Sequence, residues 1–181
     1  MIMPETRNYL ELKVPVGKNA IWLTRLREAL AEEGISVKWQ DGWYHITVVF
    51  VNDDRHVPLL YSEFNKILNS RKAPSITLDK IGAFTTRGGL QHIVYLASTQ
   101  PSEDVIKLIR DIRDSAKSIG ANYDSDFRLH ISLGRIDAHA YNLEKVKNIV
   151  EGIDIPPFTL ELKEVEYRYF RNNSIGKWRM Y

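Results

Sequence analysis

The pattern histidine, apolar, hydroxyl, apolar occurs twice in this chain: His45-Ile46-Thr47-Val48 and His130-Ile131-Ser132-Leu133, 85 residues apart. Each copy lies in an alternating run, WYHITVVFV at 43–51 and DFRLHISLGRI at 126–136, and such alternation reads as a strand. Strand side chains alternate between faces. Each run therefore sends an imidazole and a hydroxyl one way and two aliphatic side chains the other way, into a core. A helix ending at glycine precedes each run. The first covers residues 18–33 and stops at Gly34. The second opens at Pro101 and Ser102, repeats Val105, Ile109, Ile112, Ala116 and Ile119 at helical spacing, and stops at Gly120. The chain reads as a structural duplication.

The remaining segments fill in the architecture. Residues 8–16 alternate as a strand, and 35–40 form a short strand joined to 43–51 by the hairpin signal Asp41-Gly42. A helix is expected over 59–69, a strand over 76–84, the turn TTRGG, and a partner strand over 90–98. A short helix covers 142–151, and 158–170 with 174–181 close as a hairpin around Asn172-Asn173. Helices and strands are interspersed, which predicts an α/β or α+β fold. Its 181 residues suit one domain, or two small lobes sharing a core, over 1–181.

Composition removes several function classes. There is no cysteine, so disulfides, thiolate metal sites and cysteine nucleophiles are excluded. The net charge is +2, too small to announce non-specific grip on a long nucleic-acid backbone. No apolar stretch reaches the roughly 20 residues that span a bilayer. The first residues lack a basic segment followed by an apolar one, so a cytoplasmic monomer with no membrane contact and no obligate protein partner is expected. His56, His92 and His139 have no metal-ligand spacing, and neither a metal nor a cofactor is expected.

An imidazole moves protons near neutral pH, and a hydroxyl two residues on can hold a phosphate oxygen. Two such pairs across a cleft suit in-line chemistry at a phosphodiester, one imidazole taking a proton while the other gives one. His45, Thr47, His130 and Ser132 are therefore the candidate catalytic residues. Trp43 and Arg128 each lie two residues before a motif histidine, so alternation puts both on the catalytic face. Trp43 could stack on a base, and Arg128 could pair with phosphate. Arg135 falls on the opposite face by strict alternation, unless Gly134 permits a bulge that re-aims it. Two other readings stay open: a module that binds RNA ends or nucleotides without turnover, and a scaffold in which both phrases are structural.

HITVVF at 45–50 and HISLGR at 130–135 resemble the two signature motifs of the 2H phosphoesterase superfamily, which includes 2′-5′ RNA ligase and cyclic phosphodiesterase proteins. The IGAF segment at 81–84 and the spacing of the motifs fit the same resemblance. It implies a bilobal fold with pseudo-twofold symmetry, antiparallel sheets lining a central cleft and helices outside. It implies His45 and His130 as acid and base, Thr47 and Ser132 as phosphate contacts, and Phe84 lining the cleft. It also implies a nucleotide or RNA-terminus substrate with a 2′,3′-cyclic phosphate or a 2′-5′ linkage.

Overall fold

Alternation in the first strand, β1 (Asn8–Val14), buries Leu10, Leu12 and Val14 and builds the centre of a sheet. The computed structural model describes residues 7–170 and 173–181. β1 pairs antiparallel with β3 (Tyr44–Val51) on one side and with β9 (Glu164–Tyr169) on the other. With β10 (Ser174–Arg179) the first sheet has the order β10-β9-β1-β3. The second sheet has the order β2-β7-β6-β5, from β2 (Lys38–Trp39), β7 (Ile131–Asp137), β6 (Gln91–Ala97) and β5 (Lys80–Thr85). Its paired strands are antiparallel as well. The motif strands β3 and β7 lie against each other where the two sheets meet.

Helices cover the outer faces. α1 (Ile21–Glu32) packs on α4 (Leu143–Glu151), which lies on β5. α2 (Val57–Leu68) packs on α3 (Glu103–Ile119), which lies on β3. The α3 ends are those its sequence announces. The Ser102 hydroxyl accepts the Val105 N–H at 3.3 Å, and Gly120 takes the left-handed conformation at φ 82°.

Each half of the chain gives pieces to the other half's sheet. The order β1, α1, β2, β3, α2, β5 in the first half is repeated by β6, α3, residues 122–124, β7, α4, β9 in the second. α1, β2 and β5 of the first half build on the second sheet; α3, residues 122–124 and β9 of the second half build on the first. Between the halves, β4 (Ser75–Leu78) pairs with β8 (Phe158–Glu161), with the Thr77 and Thr159 hydroxyls 2.8 Å apart. The bilobal, pseudo-twofold expectation is what the structure has.

Register shows the symmetry most sharply. Leu10 opposes Val49 and Glu11 opposes Thr47, so Val48 is an extra residue in β3. Val94 opposes Gly134 and Tyr95 opposes Ser132, so Leu133 is an extra residue in β7. Both β-bulges fall three residues after the motif histidine. A bulge leaves its extra residue outside the ladder. The other half supplies what each one lacks: Arg113 Nη1 of α3 donates to the Val48 carbonyl at 3.0 Å, and the Gln40 N–H beside β2 donates to the Leu133 carbonyl at 2.8 Å. Arg113 also reaches both carboxylate oxygens of Asp124 at 3.3 Å, while the Phe50 N–H donates to Asp124 Oδ1 at 2.8 Å.

Three expectations are corrected. Residues 35–40 do not pair with 43–51: Gly42 does make a turn at φ 79°, but β2 crosses to β7 instead of folding back as a hairpin. Trp39 lies flat over Gly134, where an added Cβ would come within 3.0 Å of its ring and 2.6 Å of Val37, so this crossing needs glycine. The expected strands 76–84 and 158–170 each break into two, β4 with β5 and β8 with β9, because their first parts pair with each other and their second parts join the two large sheets. The final hairpin forms between β9 and β10; Asn172 of its expected turn, and the first six residues, lie outside the described residues.

Replacing Arg113 with Met would take the side-chain donor from the Val48 carbonyl and leave Asp124 with the Phe50 N–H but no countercharge. A loss of about 2 kcal/mol is expected from an unsatisfied, partly buried charged group. Arg113→Lys, which keeps the charge but loses the fork, should fall between the two in the urea midpoint.

Candidate active site

The bulges decide which side chains face the cleft. In β3 the partly open residues are His45, Thr47 and then Phe50; in β7 they are Ser132 and then Arg135, after His130 at the strand's doorstep. Strict alternation would put Arg135 opposite the site unless a bulge beside Gly134 re-aims it, and the bulge is there, at Leu133. Arg135 shares a face with Ser132 and Phe50 holds the matching place in β3. The strand expected from residue 126 begins five residues later, at Ile131, so His130 is set by the loop before β7.

His130 is held by its own backbone. Its Nδ1 lies 2.7 Å from the Arg128 carbonyl, an acceptor, so the neutral ring carries its proton on Nδ1 and turns Nε2 outward. The ring meets Phe84 edge-on at 5.2 Å and Tyr95 at 6.2 Å. The Arg128 guanidinium lies 3.9 Å over the Phe84 ring. Thr47, Phe84, Arg128 and His130 line one cavity of about 810 Å³, together with Phe50, Arg87 and Phe127. Ser132 and Arg135 line a smaller one of about 260 Å³. A larger opening of about 960 Å³ flanks Arg135 on the far rim and holds neither motif histidine.

His45 has a different setting. Lys13 stands opposite it in β1, and Glu11 stands opposite Thr47. Glu11 is buried, 1% exposed, with Oε2 3.5 Å from His45 Nδ1 and Oε1 accepting the Trp43 Nε1–H at 2.9 Å. Trp43 is 44% exposed, with the Lys13 ammonium 4.3 Å and the Arg168 guanidinium 5.1 Å from its ring. Glu166, directly across β9 from Glu11, binds Lys13 at 2.9 Å and Arg168 at 3.1 Å. Trp43 thus lies beside the first sheet with Lys13, away from the cavity that holds Phe84 and Arg128.

Burial shapes the titration of both rings. Desolvation lowers the proton affinity of His45, the Trp43 carbonyl opposes that, and Arg135, Arg168 and Lys13 lower it further. Desolvation also lowers His130; its bond to Arg128 opposes, and the charges of Arg128, His45 and Arg135 add to the fall. The two imidazoles therefore feel each other, and Arg135 acts on both. Burial pushes the Glu11 carboxyl up, with the Trp43 hydrogen bond and the nearby cations opposing. Burial works against Glu166 too, but Lys13, Ser174 and Arg168 hold it below the ordinary range.

Sequence reasoning missed Glu11, Lys13, Tyr95 and Arg168. All four lie on strands whose pairing partners no local signal gives. Among the other singled-out residues, His92 is buried between Thr85 and the Tyr141 carbonyl, and Asp53 ties Arg55, His56 and Asn122 together. Among the described residues no three His, Asp or Glu side chains converge as a metal site, and no helix is long and apolar enough to cross a membrane.

The sequence pattern of the family described as LigT like Phosphoesterase matches residues 14–95 and 96–173, a stretch in each half. An RNA 2′,3′-cyclic phosphodiesterase of Thermotoga maritima is 22% identical over 133 residues, 72% of this chain and 68% of that protein. Among solved structures, E. coli LigT complexed with 3′-AMP superimposes with a TM-score of 0.57 at 18% identity, covering 97% of this chain and 98% of that one. Kluyveromyces marxianus Usb1 superimposes with a TM-score of 0.66 at 8% identity, covering 97% and 99%.

Because both rings hold protons less tightly than a free imidazole, the unfolded chain binds more protons below about pH 6.5. Stability should rise as pH is raised from the folded values through that point. In the double variant His45→Gln, His130→Gln the urea midpoint should change less than in wild type between about pH 5.5 and 7.5.

Proposed function

Since the chain belongs to the LigT-like phosphoesterase family, we propose that it opens 2′,3′-cyclic phosphates or cuts 2′-5′ phosphodiesters, on RNA ends or small nucleotides, with His45 and His130 as its proton-transfer pair. The observation that carries this reading is the matched pair of strands. Each carries a hydroxyl two residues after an imidazole and one residue before the same bulge, His45 within β3 and His130 just before β7, and Thr47 and His130 line one cavity. Binding alone gives no reason for two proton-transfer groups placed across from each other.

In the proposed reaction one imidazole takes a proton from water as the water oxygen bonds to phosphorus. The bond from phosphorus to O3′ breaks, and the other imidazole gives its proton to O3′. The product keeps a 2′-phosphate. Thr47 and Ser132 donate to the non-bridging oxygens, and Arg135, re-aimed by its bulge, adds charge where negative charge grows. Phe84 and Arg128 offer a flat apolar face and a cation to the nucleoside; Trp43 with Lys13 stacked on it serves substrate that extends along the first sheet. Both proton transfers come from side chains, so no metal is required by this scheme. The nucleotide held by the E. coli relative supports a nucleotide ligand. Residues 1–181 would act as one unit, since each sheet is completed by the other half, and the cysteine-free composition suits the cytoplasm.

Turnover of the four 2′,3′-cyclic nucleotides and a 2′-5′ dinucleotide, with EDTA present, tests the reading. Wild type should release 2′-phosphate product with a bell-shaped pH profile, and His45→Ala and His130→Ala should each lose about 10²–10⁴-fold in kcat. Tight binding of every compound with no product would instead make this a nucleotide-binding module.

A further inference from the structure

The two histidines match in position, and each has the backbone carbonyl two residues earlier beside its ring, Trp43 for His45 and Arg128 for His130; they differ in the side chain behind them. Behind His130 is the Arg128 carbonyl, which holds the Nδ1 proton and leaves Nε2 free to accept one. Tyr95 occupies the neighbouring place in β6, opposite Ser132, and its ring covers Gly82 at 2.6 Å from where a Cβ would be. Behind His45 the matching place in β1, opposite Thr47, holds Glu11. A carboxylate takes the place of a phenol.

Glu11 is an unusual residue to bury there. Its Oε1 accepts from Trp43, and among the described residues no lysine or arginine comes within ion-pair distance of it. The nearby cations are engaged elsewhere: Glu166 binds both Lys13 and Arg168. The Glu11 oxygen left over, Oε2, faces His45 Nδ1 at 3.5 Å. That nitrogen is itself buried and has no well-formed hydrogen bond. A desolvated carboxylate oxygen and a desolvated ring nitrogen thus face each other with a gap that a small ring movement closes. Hydrogen bonds in empty catalytic sites are often long in this way and tighten with substrate.

We propose that Glu11 is a positioning residue for His45: its carboxylate accepts a hydrogen bond from the ring's Nδ1–H, which turns Nε2 to the cleft and lets the ring keep a second proton on Nε2 for the leaving oxygen. This rests on the phosphodiesterase reading above. It divides the labour. His130, tied to a neutral carbonyl and ringed by Phe84 and Tyr95, has the free Nε2 lone pair of a base. His45 is the ring with a carboxylate oxygen within reach of Nδ1, an acceptor its doubly protonated form can use. The other charges that face His45 are the cations Lys13, Arg168 and Arg135 and the second imidazole, and all of these oppose its protonation. Glu166 is neutralised by its two partners. Besides the Trp43 carbonyl, Glu11 is the anionic group that stands within 3.5 Å of the ring to offset them.

The test reads the ring first and the reaction second. Imidazole signals are followed by NMR against pH in wild type and Glu11→Gln, assigned with His45→Ala and His130→Ala. Glutamine keeps the shape and can still accept from Trp43. The His45 midpoint should fall by about one pH unit, as expected when an opposite charge within a few ångström is removed, and His130 should move far less. Glu11→Gln should lower kcat on the cyclic nucleotides with KM little changed and carry the basic limb of the profile to lower pH. An unmoved or raised His45 midpoint overturns the proposal, as does movement of the acidic limb alone. If Glu11→Gln does not fold, nitrogen shifts in wild type decide: neutral His45 with its proton on Nδ1 supports the assignment, and a proton on Nε2 sinks it. Because the midpoints need no substrate, a wild type that turns over nothing would remove the phosphodiesterase reading while a fallen His45 midpoint would still uphold the contact.

Discussion

One extra residue in each motif strand, Val48 in β3 and Leu133 in β7, determines what the cleft contains. Without it, the alternation begun at the histidine would carry Val49 and Gly134 to the cleft and send Phe50 and Arg135 into the core. An arginine there would have to be desolvated without a partner, which costs far more than a bulge. The bulge in turn leaves a carbonyl outside the ladder, and each carbonyl is satisfied by the opposite half of the chain, through Arg113 or the Gln40 N–H. The shape of each strand in the site therefore depends on segments exchanged between the halves. Neither half holds its own motif strand in working shape alone.

The symmetry of the backbone is not matched by the side chains. In the second sheet a cation two residues before the histidine, Arg128, lies over an aromatic ring from β5, Phe84. In the first sheet the aromatic, Trp43, precedes the histidine and the cation, Arg168, comes from β9. The same cation–π contact is kept with its partners interchanged. Further along, Tyr95 over Gly82 in one sheet is replaced by Glu11 beside Glu166 in the other. The outcome is one wall with an aromatic surface and one with a dense network of charge.

The sequence made the repeat legible because a strand's period of two exposes its polar positions directly, and His45, Thr47, His130 and Ser132 needed nothing more. The helix ends at Gly34 and Gly120 were legible for the same local reason. What failed was pairing. Asp41-Gly42 is a sound turn, yet the strand before it leaves for the other sheet, because Trp39 finds the Gly134 surface there; no local signal carries that. Counting alone could not place Arg135, since a bulge changes parity and is set by register; Gly134 only marked where one could fall. Alternation in NYLELKV says nothing of what covers Glu11; only its neighbours in β3 and β9 show that it is buried.

A division of roles between the histidines is not needed to keep the protons in the right place. If two equal imidazoles shared one proton, half of the competent molecules would still have it on the useful ring, a loss of about 0.4 kcal/mol on the scale where tenfold is 1.36. That is too little to account for a buried carboxylate, which costs several times as much to desolvate. The two unlike walls give the stronger reason. In the proposed reaction a nucleoside cyclic phosphate has a flat apolar side and an anionic side, and a site that is aromatic at one sheet and charged at the other would take it in one direction. The leaving oxygen would then face the same histidine in every turnover. On that side an anion behind the ring helps in every turnover, and behind the other ring it would favour the wrong protonation state.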